Sequence, residues 1–150
     1  MMRARIEQEL ALLRERYPDV EHVEHANEDW FRLPDYAFPP GWRIAGESVQ
    51  AAVIFFKVNA GYPAAEPYAF AAPAPIDFQG AAPQNVSPAA GSPFGGEWTQ
   101  FSWAPDGAWA PSADSSKGSN LVIWARSFAQ RLAQGACALS SSFRRASSST

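Results

Sequence analysis

Few residues in this chain have the chemistry to act on a substrate, and their spacing narrows them further. Cys137 is the single cysteine. A thiolate is nucleophilic near neutral pH and leaves readily, yet Cys137 lies past the last helical stretch, beyond Gly135. Ser102 sits in the aromatic block Trp98-Thr99-Gln100-Phe101-Ser102-Trp103. In an extended segment its side chain points opposite to Phe101 and Trp103, so it can face a cleft. Asp106 and Asn85 are the polar residues that could assist it. No histidine stands nearby, and a serine hydroxyl without a base is a poor nucleophile. The competing reading makes Phe101, Trp103 and Trp109 core aromatics and Ser102 a polar spacer between them. In a third, Cys137 folds back and is itself the nucleophile.

His22 and His25 suggest a metal. Residues three apart in a strand point to opposite faces, and neither the lone cysteine nor a second histidine pair completes a ligand set. The sequence therefore predicts no metal site, and no cofactor motif is present.

These residues need elements to position them. Ile6, Leu10, Leu13 and Tyr17 form one stripe of a helix over 3–16, which Pro18 stops. Residues 19–26 read as a short edge strand, turning at Asn27-Glu28-Asp29 into a second strand, Trp30-Phe31-Arg32-Leu33. Pro39-Pro40-Gly41-Trp42 breaks the chain. Val49 to Val58 is an apolar run suited to a central strand covered on both faces. It runs into Gly61-Tyr62-Pro63, with Pro67 close behind. Neither proline can sit in a central strand, so the chain turns there and re-enters the sheet at 68–70. Residues 71–97 show neither helical nor strand period and read as a long irregular segment. Asn120 or Ser119 caps a helix to about Leu132, with Leu121, Trp124, Phe128 and Leu132 on one face, and Gly135 ends it.

Composition bounds the rest. The chain has 150 residues and a net charge of −3. That length suits one domain, 1–134, with a low-complexity tail at 135–150. An acidic balance argues against a nucleic-acid face. No apolar run is long enough to span a membrane, the N-terminus carries acids and no apolar signal core, and a single cysteine fits a cytoplasmic protein.

The order helix, three strands, Tyr-Pro-x-x-x-Pro, short strand, irregular segment, Trp-x-Pro, helix resembles the ubiquitin-conjugating enzyme (UBC) fold. Within it, the chain is similar to a bacterial family with a Pro-Pro-Gly-Trp-like turn, a Gly-Tyr-Pro-x-x-x-Pro turn and a Trp-x-x-Phe-Ser block. These match Phe38 to Trp42, Gly61 to Pro67, and Trp98 to Trp103; Trp109-Ala110-Pro111 matches the Trp-x-Pro. The resemblance covers about residues 5–133. It implies an α+β fold with an N-terminal helix, a four-stranded antiparallel meander and a C-terminal helix on the same face. It implies a ubiquitin-like protein and its activating enzyme as partners, in a system that often includes a JAB-type peptidase. In the ordinary family a catalytic cysteine lies about eight positions before the Trp-x-Pro tryptophan, after a His-Pro-Asn motif. Here that position falls at Phe101 or Ser102, and the His-Pro-Asn is absent. The bacterial family's histidine, two positions after the serine, is replaced by Ala104. The expected site is therefore Ser102 with Asp106, and Phe101, Trp103 and Trp109 as the partner-binding residues. A UBC-like adaptor without a nucleophile, or a structural α+β domain unrelated to conjugation, are the alternatives.

Overall fold

The computed structural model describes residues 3–137; most of the tail expected at 135–150 lies outside the described residues. The first helix, α1 (Ala4–Arg16), buries Ile6, Leu10 and Leu13. Tyr17 N–H closes its last turn on the Leu13 carbonyl at 2.6 Å, and Pro18 prevents another.

A hairpin follows. β1 (Glu21–His25) pairs with β2 (Glu28–Ala37), from Glu21↔Arg32 to His25↔Glu28. The two-residue turn is Ala26-Asn27, both at positive φ (54° and 64°), the backbone that lets a tight hairpin match strand twist. The turn thus lies earlier than Asn27-Glu28-Asp29, and β2 is longer than 30–33. The chain next forms β3 (Trp42–Ile44) and β4 (Glu47–Ser48), then β5 (Ala51–Val58) and, after the Tyr62-Pro63 turn, β6 (Phe70–Pro73).

Residues 71–97 are not irregular throughout. They contain β7 (Ile76–Phe78) and β8 (Val86–Ala89), and β9 (Trp98–Phe101) follows. Strands of three or four residues are too short to show a period. Pro88 is tolerated because β8 is an edge strand. Two antiparallel sheets result, one of six strands in the order β1-β2-β5-β6-β9-β8 and one of three in the order β4-β3-β7. The single four-stranded sheet expected from the sequence is thus exceeded. α2 (Leu121–Ala133) begins at Asn120, whose side chain accepts from Ile123 N–H at 3.0 Å, and is followed by Gly135 at φ +67°. A Cβ at Gly135 would lie 2.9 Å from the Phe78 ring, so glycine serves both the left-handed backbone and the close approach.

Both helices lie against one face of the large sheet. Ile6, Leu10 and Leu13 of α1 and Leu121, Trp124, Phe128 and Leu132 of α2 share a core with Phe31, Leu33, Ile54, Phe56, Phe70 and Phe101. The other face carries a second cluster, Trp30, Phe55, Ala71 and Trp98, with Phe94 from the loop before β9 packed on it. β5 is therefore apolar on both sides, which explains its unbroken run.

Candidate functional site

The β8–β9 hairpin positions Ser102. Val86 pairs with Phe101, and one step further the Ser102 N–H donates to the Asn85 carbonyl at 2.9 Å. Asn85 has φ +57°, a conformation asparagine adopts more readily than most residues. Phe101 is fully buried, stacked on Phe70 with centroids 4.9 Å apart and edge-on to Trp42 at 5.8 Å. Trp103 is 3% exposed, and its indole N–H donates to Ser127 Oγ at 3.0 Å. Phe101 and Trp103, expected to face a partner, are core residues instead: their rings fill the space between β9 and α2. Ser102 between them is half-buried, Asp106 is exposed, and Trp109 is half-buried. The Trp109 indole N–H donates to the Pro63 carbonyl at 2.7 Å, and its ring lies 5.9 Å from Tyr62. Trp109 thus ties the Trp-x-Pro segment to the Tyr-Pro turn.

No histidine serves Ser102. Both lie in β1, four strands from β9 in the sheet order, or roughly 19 Å at the usual strand spacing. His22 packs on Phe31 and bonds Asp29 Oδ1 through Nε2 at 2.8 Å, whereas His25 packs on Trp30. Phe31 and Trp30 belong to opposite sheet faces, as the spacing of the two histidines requires. Among the described residues no group of histidine, cysteine and acidic side chains could hold a metal ion.

Two buried charges were not legible as part of this region. Glu9, at 0% exposure, accepts from Tyr62 Oη (2.5 Å), from the Leu121 backbone N–H (2.6 Å) and from Arg5 Nε (2.5 Å). Arg5 also donates to the Ser112 carbonyl. Burial, and next its bond to Glu9, push the Tyr62 hydroxyl far above its ordinary pKa. Tyr62 is therefore a fixed neutral donor.

The second charge is Arg131, at 1% exposure. It donates to the Gly135 carbonyl (2.7 Å) and to the Gln84 carbonyl (2.9 Å), and its guanidinium lies 5.1 Å from the Phe101 ring centroid. Burial lowers its pKa, and its interaction with Cys137 opposes that. The Gln84 N–H in turn donates to the Ala136 carbonyl at 2.8 Å. The chain after α2 thus runs back beside the hairpin, and Cys137, exposed, follows a residue bonded to Gln84. Glu9 offered only its i, i+4 spacing from Arg5 as a sequence signal, and the return of Cys137 to residue 84 offered none.

Against protein-family models, curated proteins and solved structures, the chain finds no match. No helix among the described residues is long and apolar enough to cross a membrane.

Proposed function

We propose that this chain is a UBC-like component of a bacterial, cytoplasmic pathway that conjugates a ubiquitin-like protein, and that Ser102 carries that protein's C-terminus. The observation that carries the reading is the pairing of Ser102 with Asn85. Ser102 occupies the position that the UBC resemblance assigns to the nucleophile, and the residue its backbone pairs with is an asparagine, whose side-chain amide in this reading takes the part of the family's asparagine. Further support comes from β1, β2, β5 and β6, which lie side by side in chain order with both helices on one face. In the reaction, Ser102 Oγ attacks the acyl carbon of the activating enzyme's thioester. The C–S bond breaks, the enzyme's thiolate leaves, the serine proton passes to solvent, and an oxyester remains. Without a histidine the step is slow.

A second reading makes Cys137 the nucleophile. The bond from Gln84 N–H to the Ala136 carbonyl favours it, because it holds Cys137 beside the residue next to Asn85. One experiment separates the readings. The protein is mixed with a bacterial activating enzyme, its ubiquitin-like protein and ATP, and examined by intact mass. An adduct that resists thiols, yields to hydroxylamine and vanishes in Ser102→Ala supports Ser102. A thiol-sensitive adduct that vanishes in Cys137→Ser supports Cys137 and overturns Ser102. Binding without an adduct leaves an adaptor, and neither binding nor adduct overturns the conjugation reading.

A further inference from the structure

The large sheet ends on two edge strands, β1 and β8. β8 carries Pro88, which has no N–H to offer a further strand. β1 has no proline, no lysine and no bulge, the usual devices that blunt an edge. All five of its residues pair with β2 in one unbroken register, from Glu21↔Arg32 to His25↔Glu28. Among the described residues no strand pairs with its other side.

The hairpin decides which main-chain groups of β1 point outward. Its turn is His25-Ala26-Asn27-Glu28, with both central residues at positive φ, so His25 and Glu28 are the hydrogen-bonded pair that closes it. Bonded and non-bonded pairs alternate along an antiparallel ladder. Glu21, Val23 and His25 therefore bond to β2, while His22 and Glu24 turn their N–H and C=O groups outward. Side chains alternate too. Val23 packs on the outer cluster around Trp30, His25 packs on Trp30, and Glu21 accepts from Arg32 at 2.7 and 2.8 Å. These three share the outer face, and His22, on Phe31, shares the inner face with Glu24.

Glu21-His22-Val23-Glu24-His25 is complementary to itself when reversed. We propose that β1 pairs antiparallel with β1 of a second copy about a two-fold axis at Val23, joining two molecules through one continuous sheet. This register sets Glu21 opposite His25, His22 opposite Glu24, and Val23 opposite its counterpart. Outward-facing residues must meet outward-facing ones, so the alternation permits only two other centres within β1. A centre at His22 sets that histidine against itself, a centre at Glu24 sets two carboxylates together, and both leave one end of the strand unpaired. At Val23, His22 and Glu24 exchange main-chain bonds with the second copy. Glu21 and His25 then form the non-bonded pairs, whose side chains approach most closely. A histidine ring N–H donates to a carboxylate in either charge state. The Val23 contact makes the two outer clusters continuous across the axis. The proposal is independent of the conjugation reading.

Sedimentation velocity of the whole protein from about 10 µM to about 1 mM tests it, because a seam of short strands makes a small, weak interface. A monomer–dimer equilibrium is expected, with amide exchange at His22 and Glu24 slowing as concentration rises. Glu24→Pro removes an outward N–H and leaves the β2 ladder intact, so it should weaken the dimer at least about tenfold. Glu21→Lys sets a cation against His25, and His25→Glu sets two carboxylates together. Each should weaken self-association about two- to tenfold. The two variants mixed should associate more tightly than either alone, because the introduced lysine then meets the introduced glutamate; a merely structural effect of either change would not be rescued in this way. If Glu24→Pro fails to fold, the mixed variants decide alone. A monomer at every concentration, a dimer indifferent to a folded Glu24→Pro, protection confined to β8, or a mixture no tighter than its parts overturns the proposal.

Discussion

Glu9→Ala tests whether the buried carboxylate organises the junction of α1, the Tyr-Pro turn and α2. Its two oxygens accept three donors, from Tyr62, Leu121 and Arg5. Truncation leaves a buried hydroxyl and a buried backbone N–H without an acceptor, each costing about 1–3 kcal/mol. It also strips a guanidinium that is 14% exposed of its counter-charge. Breaking a buried pair by removing one partner costs about 3–5 kcal/mol, and we take that as the expected total because the terms overlap. At a urea m-value of about 2 kcal/mol/M the midpoint should fall by roughly 1.5–2.5 M. Glu9→Gln keeps an oxygen for Tyr62 and Leu121 but sets an amide NH2 against Arg5, losing the charge and that acceptor, so it should cost about 1–3 kcal/mol. The double variant Arg5→Met/Glu9→Leu removes both charges and should recover much of the loss of Glu9→Ala. Equilibrium urea unfolding followed by tryptophan fluorescence measures all three. A midpoint shift below about 0.5 M for Glu9→Ala would show that water or neighbouring groups replace the carboxylate, and would refute the accounting.

Three further outcomes follow from packing, capping and charge. Trp124 is 1% exposed and edge-on to Phe128 at 5.1 Å, so Trp124→Ala should cost about 3–5 kcal/mol in the same unfolding assay. Asn120→Ala removes the acceptor for Ile123 N–H and the donor to the Ser115 carbonyl, and should cost about 1–2 kcal/mol. The bond from Arg43, then that from the Gly80 N–H, hold the Asp77 carboxyl below its ordinary pKa. A lowered folded pKa means that Asp77 stabilises the fold above the ordinary carboxylate range and loses that contribution as pH falls through the lowered value; a carbon-detected carboxyl titration should show the low midpoint, and Arg43→Met should return it toward normal.

What the sequence showed was what local patterning controls. The stripe Ile6, Leu10, Leu13 and the face Leu121, Trp124, Phe128, Leu132 became helices because a 3.6-residue period has one reading at that length. The apolar run before Gly61 became β5 because both of its faces are covered. Residues 71–97 resisted because their strands are three or four residues long and carry prolines that only edge or terminal positions accept, as Pro73 and Pro88 do. The aromatic block was legible as a strand but its exposure was not. Whether Phe101 faces a partner or the core depends on α2, which follows it by some twenty residues of loop.

The surroundings of Ser102 were legible only in part for the same reason. Ser102 could be placed from its motif, but Asn85 reaches it through strand pairing and Cys137 approaches through a turn after α2. The second contact depends on where α2 ends. A helix carries partial positive charge at its N-terminus and partial negative charge at its C-terminus, and α2 has a buried charge of the complementary sign at each end. Glu9 accepts the Leu121 N–H at its start. Arg131 takes the Gly135 carbonyl at its close and the Gln84 carbonyl beside it. Each of these charges also holds a second segment, Glu9 the Tyr62-Pro63 turn through the tyrosine hydroxyl, and Arg131 the residue next to Asn85. Strand pairing thus sets residue 102 beside residue 85, while Arg131 at the end of α2 ties residue 84 to the turn that carries residue 137. Arg131→Met removes the bond to the Gln84 carbonyl and should loosen the 84–86 segment, seen as faster amide hydrogen exchange there; on the proposed conjugation reading it should also slow adduct formation while leaving the side chains of Ser102 and Cys137 in place.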